Sequence, residues 1–291
     1  MMRQANVAIT IGMPVFNGEK YIREALDSLL AQTFTDFELI ISDNASVDDT
    51  QAICEEYARR DHRIRYVRQS ENKGALANFQ FVLDQAQGEF FMWAAADDRW
   101  DTHWIDSIHT RIRGEKSIAG FGELRHIDAH ATTLQHPANS VKLQFGGNFL
   151  RRKLAFYLAY EGLGKANLFY ALYPRMVLQR IDLRSYCFDY QILFALLDQV
   201  AYEQVKDVCL YKRIHGGCEG VGSESVWRPP FVLAPLRVLR SDFQMATHYL
   251  RSAGRGLRIV LLLLIPVKLL VAQRFHVLRS ASLLRSKLSL W

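Results

Sequence analysis

Asp97 and Asp98 stand side by side in GEFFMWAAADDRW, directly behind an apolar run of strand length. Two adjacent carboxylates in a loop at a strand's end suit one task well: holding a divalent cation against a diphosphate whose negative charge grows as it leaves. Taken alone the pair has a plainer reading, a turn with a helix N-cap ahead of Trp104.

Four further residues carry chemistry by type and place. Asp43 closes the apolar run FELIISD, where a carboxylate is hard to explain as filler. Asp189 leads the hydrophobic stretch DYQILFALL, and a hydroxyl nucleophile needs such a base within hydrogen-bond reach; its bland reading is a helix N-cap. LYKRIHGG ends a strand-like run in Arg213 and His215, a cation and a metal-competent imidazole, although a lone His after a strand is more often structural.

The elements that position these residues come from hydrophobic period. Val7 to Met13, Phe37 to Asp43, Arg63 to Arg68 and Phe90 to Ala95 read as strands. Between them Tyr21 to Ala31, a segment running to about Arg60, and Ala75 to Ala86 read as helices, with Ser46 and Asp49 as a capping box for the second. Such alternation signals parallel βαβ units in one open sheet, whose loops share an edge where ligands bind. Beyond Ala119 the reading gives strand pieces in GFGELRHID, a helix from Leu150 to Tyr160, a helix from Asp189 to Leu197, and a strand from Asp207 to Ile214.

Four blocks, PVFNGEKYIREALDSLLAQTF, FELIISDNASVDDT, ENKGALANF and GEFFMWAAADDRW, follow one another over roughly the first 100 residues. In order and spacing they resemble the N-terminal half of family 2 glycosyltransferases. The resemblance implies an α/β GT-A fold, an open and mostly parallel sheet with helices on both faces, and inverting transfer from a nucleotide-diphosphate sugar with Mn2+ or Mg2+. It implies that Pro14, Phe16, Asn17 and Glu19 line the base and ribose site, that Asp43 bonds the nucleoside, and that Lys73 lies near the nucleotide. It further implies Asp98 as the first metal ligand, Asp97 as a supporting ligand or ribose contact, His215 in the metal shell, Arg213 on the phosphates and Asp189 as the base. Lys165 and Asn167, in GKANLFYALYPR, are expected near the donor sugar or acceptor. Phe16 also reads as core, Gly74 as a backbone necessity, and Asn78 equally as a helix-surface residue. The family's commonest pattern has an acid where this chain has Ala95.

The 291 residues carry a net charge of +6, but eight Lys or Arg and no acid lie between Arg251 and Trp291, leaving 28 basic and 30 acidic residues before them. That distribution argues against a nucleic-acid face. Leu257 to Ala272 is strongly apolar yet interrupted by Arg258, Pro266 and Lys268, with Arg274, Arg279, Arg285 and Lys287 following. It fits an anionic membrane interface better than a span; a packing helix or an oligomer contact is the rival. The expected organisation is residues 1–228 as catalytic domain, split at 113 into nucleotide-sugar and acceptor halves, and 229–291 as a helical membrane-associating extension behind Pro229 and Pro230. A glycan or lipid-linked glycan at the inner face of the plasma membrane is then the expected acceptor. Cys54, Cys187, Cys209 and Cys218 lack metal spacing and, with no secretory signal before Val7, read as reduced cytosolic thiols. Two rivals stand beside this reading. A sugar nucleotidyltransferase wants a Gly-rich basic loop that PVFNGEK lacks, and a non-catalytic nucleotide-sugar scaffold is suggested by Ala95.

Overall fold

The computed structural model describes residues 7–139, 141–186, 189–215, 243 and 246–274. Four parallel strands form the first sheet: β1 (Ile9–Val15), β2 (Phe37–Asp43), β3 (Ile64–Arg68) and β4 (Phe90–Trp93). The strand order is β3-β2-β1-β4, extended antiparallel by the short β7 (Tyr173–Pro174). All seven residues of β1 are buried, because layers cover both faces of the strand and leave no reason for polar alternation. The helix α1 (Ile22–Leu30) turns Ile22, Ala25, Leu26 and Leu29 inward, the 3-4 spacing of one helical stripe. The helices α2 (Thr50–Arg60) and α3 (Ala75–Asp84) complete the βαβ units. α3 lies so close to the sheet that a Cβ on Gly12 would sit 2.7 Å from both Val82 and Phe91.

The crossovers run outward from β1 to β2 and β3, then return to place β4 on the other side of β1. This reversal opens a crevice beyond the carboxyl ends of β1 and β4, the position where open α/β sheets take ligands. Val15, Asp43 and the loop after Trp93 all end there.

The capping box expected at Ser46 and Asp49 does not form. Helix α2 starts at Thr50, whose amide and hydroxyl both donate to Asp48 Oδ1, while Ser46 Oγ accepts from the amide of Asn17. A partner across the loops has displaced the local one.

A second sheet stands beside the open parallel sheet expected from sequence. Its order is β5 (Arg99–Trp100), β8 (Ala201–Arg213) and β6 (Ile118–Ile127), with β8 parallel to β6 and antiparallel to β5. The strand expected from Asp207 begins six residues earlier. Asp207, at φ 65, sits where the register jumps: Phe121 faces Gln204, whereas Glu123 faces Cys209. Helix α4 (Trp104–Ile112) buries Trp104, Ile105, Ile108 and Ile112, with Trp104 edge-on to Phe121 of β6.

Around this frame lie α5 (Phe149–Leu158), α6 (Arg175–Leu178), α7 (Asp189–Leu196) and α8 (Arg255–Leu263). A second helical segment, Ile265–Arg274, follows α8 at a bend of 49°. Pro266 supplies no amide hydrogen, which accounts for the break and suits the opening turn of a new helix. Pro229, Pro230, Cys187, Cys218, Arg279, Arg285 and Lys287 lie outside the described residues, and so does the boundary expected at residue 229. Cys54 and Cys209 are free and buried, and burial pushes both thiols up to about 12.

Candidate active site

The first wall of the crevice is the loop after β1. Pro14 is buried in the strand itself, and Phe16 stands out from the loop at 47% exposure. Asn17 adopts φ 51, and its Oδ1 accepts from the amide of Val47 at 2.9 Å. Glu19 Oε2 accepts from the amide of Asp49, and the Glu19 amide donates back to Asp48 Oδ2. The expected ligand-lining residues Asn17 and Glu19 thus sew the β1 and β2 loops together, leaving Phe16 as the side chain presented outward.

Asp43 is fully buried, and its carboxylate is well supplied with donors. Oδ1 accepts from the Ser46 amide, and Oδ2 accepts from the Tyr66 hydroxyl at 2.7 Å and from Arg68 at 3.0 Å. Lys73 Nζ donates to Gln69 Oε1 at 3.2 Å, beside a recess of about 180 Å³ that Asn44, Asn78 and Arg184 also line. Gly74 holds φ 84, the left-handed conformation that glycine supplies at little cost. Asn78 is not at the helix surface: it is 4% exposed, accepting from Ser42 Oγ and donating to the Ser42 carbonyl.

The acidic pair divides its work. Asp98 has no exposed surface; its Oδ1 accepts from the Arg213 amide at 2.9 Å and its Oδ2 from Lys212 Nζ at 3.0 Å. Burial pushes its carboxyl up to about 6, a rise that Lys212 opposes and Asp97 reinforces. The Asp97 side chain retains 27% exposure and meets His215 Nε2 at 3.0 Å, while the imidazole packs on Tyr21 with ring centroids 4.7 Å apart. Strand β8 engages both Asp98 oxygens, whereas the partly exposed Asp97 carboxylate meets the imidazole.

Arg213 also departs from its expected place on the phosphates. Its buried guanidinium donates to the carbonyls of Asp97, Asp128 and Ala129, pairs with Glu24 of α1, and stacks over Tyr21. Such a clamp ties the acidic loop to α1 and to the turn after β6. The open cation is its neighbour Lys212, unremarked in the sequence. Burial disfavours the Lys212 ammonium, yet Asp98, Tyr170 and Asp97 outweigh it and hold the group well above lysine's ordinary value. Its Nζ also lies 5.0 Å over the Tyr170 ring.

Asp189 opens α7 as an exposed residue, yet the protein atoms near its carboxyl raise it above its ordinary value while Lys212 pulls the other way. The Tyr170 hydroxyl, pushed up by burial, feels the charges of Lys212, Asp98, Asp189 and Asp97 together. Lys165 and Asn167 do not line the same space. Lys165 is buried, donating to the carbonyls of Phe156 and Ala159 and pairing with Glu161; Asn167 bonds the Gly164 carbonyl. Sequence gave little notice of Lys212 or Tyr170; the one available signal was an unexplained lysine inside the mainly apolar strand end VCLYKRI.

Among the described residues no group of three or more His, Cys, Asp and Glu side chains could hold a metal by itself. A carboxylate and an imidazole do meet, at Asp97 and His215. That pair fits a hard to borderline cation whose remaining ligands come from a diphosphate and water.

The description "Glycosyl transferase family 2" matches residues 10–181, which include every element from β1 to the turn after α6. Glycosyltransferase GlyA of Streptococcus pneumoniae serotype 4 is 33% identical over 104 residues, 36% of this chain and 15% of that protein. A putative teichuronic acid biosynthesis glycosyltransferase, TuaG of Bacillus subtilis, is 34% identical over 92 residues, 32% of this chain and 36% of that protein. The matched segment is thus well under half the length of either relative. Residues 1–349 of S. aureus TarS, solved in crystals, share the fold at a TM-score of 0.57 and 15% identity, covering 92% of this chain and 91% of that one. The crystal structure of the same TarS segment with UDP-GlcNAc gives a TM-score of 0.55 at 18% identity, over 83% of this chain and 66% of that one.

Proposed function

The chain belongs to glycosyl transferase family 2, and from that premise we propose that it moves a glycosyl group from a nucleotide-diphosphate sugar to a hydroxyl of a glycan or lipid-linked glycan. The anomeric centre is inverted, and the product serves cell-surface polysaccharide synthesis. In support, TuaG is described in teichuronic acid biosynthesis and TarS was crystallised with UDP-GlcNAc. Such a donor and acceptor meet at the inner face of the plasma membrane, where we set the reaction.

One observation carries the reading: at the crevice, Lys212 bonds Asp98 and acts electrostatically on both Asp97 and Asp189. Negative charge develops on the leaving diphosphate, which a cationic centre beside the acidic pair offsets, while the proton that must leave the acceptor hydroxyl needs a base, the part given to Asp189. In the single displacement the acceptor oxygen bonds the anomeric carbon, the bond to the diphosphate oxygen breaks, and Asp189 takes the hydroxyl proton. The raised Asp189 carboxyl is the stronger base for it. Phe16 flanks the base, and Asp43, already aimed by Tyr66 and Arg68, meets the nucleoside. Asp97 and His215 would hold Mn2+ or Mg2+, which when bound would supply charge neutralisation at the diphosphate. Asp98 shapes this site from behind by fixing β8. The acceptor proton and the donor phosphates thus have separate handlers.

Calorimetric titration of the nucleotide sugar with Mn2+ tests the division. Asp189→Asn is expected to bind donor normally while transfer falls by about 10²- to 10⁴-fold, and Asp97→Ala to lose metal-dependent donor binding together with transfer. Turnover near the parent's in either variant removes that residue from the mechanism.

A further inference from the structure

The two C-terminal helical segments show opposite characters on their two sides. Leu261, Lys268 and Ala272, spaced seven and four residues apart, are buried against the domain. Lys268 is the anchor: its Nζ donates to the Tyr157 carbonyl at 2.7 Å and pairs with Glu161 at 2.8 Å. Tyr157 adds a hydroxyl bond to the Leu261 carbonyl. The lysine that interrupts the apolar sequence is therefore turned into the protein; among the described residues no single helix is long and apolar enough to cross a membrane, and these two segments reach that length and composition only as a pair bent by 49°.

The opposite side is apolar and open. Ile259, Leu262, Leu263, Val267 and Leu270 recur at three- and four-residue steps and form one stripe across the bend, with Leu263 at 74% and Leu270 at 64% exposure. A packing helix would hide such a stripe, and a soluble surface would not carry it so continuously. Arg255, Arg258 and Arg274 are exposed along the same elements and Arg251 just ahead of them, and the chain contains no acid after Asp242. Apolar side chains in a continuous row, fringed by arginines with no counter-charge in their own segment, complement the headgroup and upper acyl region of an anionic bilayer.

We infer that α8 and Ile265–Arg274 form a monotopic membrane-docking face, held to the domain by Lys268 and entering one leaflet of an anionic bilayer through the Ile259–Leu270 stripe. The bend at Pro266 lets both segments lie in the interface plane rather than continue into a span. This inference stands on the C-terminal surface alone and is independent of the transfer reading.

Vesicle co-sedimentation of the full chain tests it. The parent is expected to pellet with vesicles containing one-third phosphatidylglycerol, to bind pure phosphatidylcholine at least tenfold more weakly, and to be released in part by 0.5 M NaCl. Leu263→Glu with Leu270→Glu, both at exposed positions, is expected to weaken anionic-vesicle binding at least tenfold with an unchanged circular dichroism spectrum. Met176→Glu, at an exposed apolar position on α6 and outside the stripe, is expected to bind as the parent does. Binding unaffected by the double substitution overturns the inference. A parent that ignores vesicles but forms a dimer abolished by the same substitutions also overturns it, by showing the stripe to be a contact between copies. Donor binding measured on the same samples reads the other site separately.

Discussion

Replacing Lys212 with Met leaves a fully buried carboxylate without the ammonium 3.0 Å away. Asp98 is held at about 6 with Lys212 present, against an ordinary 3.8. Its folded-state value is therefore already raised, so the associated stability is greatest at low pH and is lost as pH climbs towards that value. In the parent this loss stops near pH 6. Without Lys212 the carboxyl rises further, Asp98 stays protonated through neutrality, and the loss continues upward. Because each unit of pH between the two folded-state values costs on the order of 1 kcal/mol, the deficit of Lys212→Met relative to the parent is expected to be near zero at pH 5.5 and to grow to about 1–3 kcal/mol between pH 7 and pH 8. Urea denaturation in metal-free buffer at those three pH values measures it. An Asp98→Asn background, which has nothing to titrate, is expected to abolish the growth with pH. A deficit that is flat from pH 5.5 to 8, or that grows equally in the Asn background, refutes the account of this pair.

Two other sites yield predictions of the same kind. Burial lowers His126 from 6.5 to about 4, so the unfolded chain takes up the proton first as pH falls; stability is full above pH 6.5, and about 2 kcal/mol is expected to be lost by pH 5, a slope that His126→Gln removes in thermal melts. Glu161 lies between the ammonium groups of Lys165 and Lys268, which hold its carboxyl low despite burial; Glu161→Leu is expected to cost about 3–5 kcal/mol in urea denaturation, since two buried cations lose their partner.

The first sheet was legible in sequence because covered parallel strands write themselves as continuous apolar runs, and β2 occupies Phe37 to Asp43 as expected. The second sheet was not. The first half of β8, AYEQVK, mixes polar and apolar side chains on a partly exposed strand, and the turn of register at Asp207 hides its continuity. Candidate residues were found where local sequence announces them, as with Asp97 and Asp189, but their partners were not. Ser46 reads as a local cap, yet Asn17, 29 residues away, supplies its bond. Arg213 reads as a phosphate cation, yet Glu24 and three carbonyls surround its guanidinium. Lys268 reads as an interruption of an apolar helix, whereas Glu161, from a distant turn, makes it an anchor. In each case a long-range contact decided the role, and periodicity carries no record of such contacts.

The central claim is group transfer from a nucleotide sugar at the Asp97–His215 and Asp189 centre. Release of free nucleoside diphosphate from a panel of nucleotide sugars, with Mn2+ and a membrane-lipid extract as acceptor, tests it most directly. The account predicts release that needs acceptor and metal together, stops on chelation, and is absent in Asp189→Asn. Release that persists unchanged in chelator and in Asp189→Asn, or no release from any donor that binds, contradicts it.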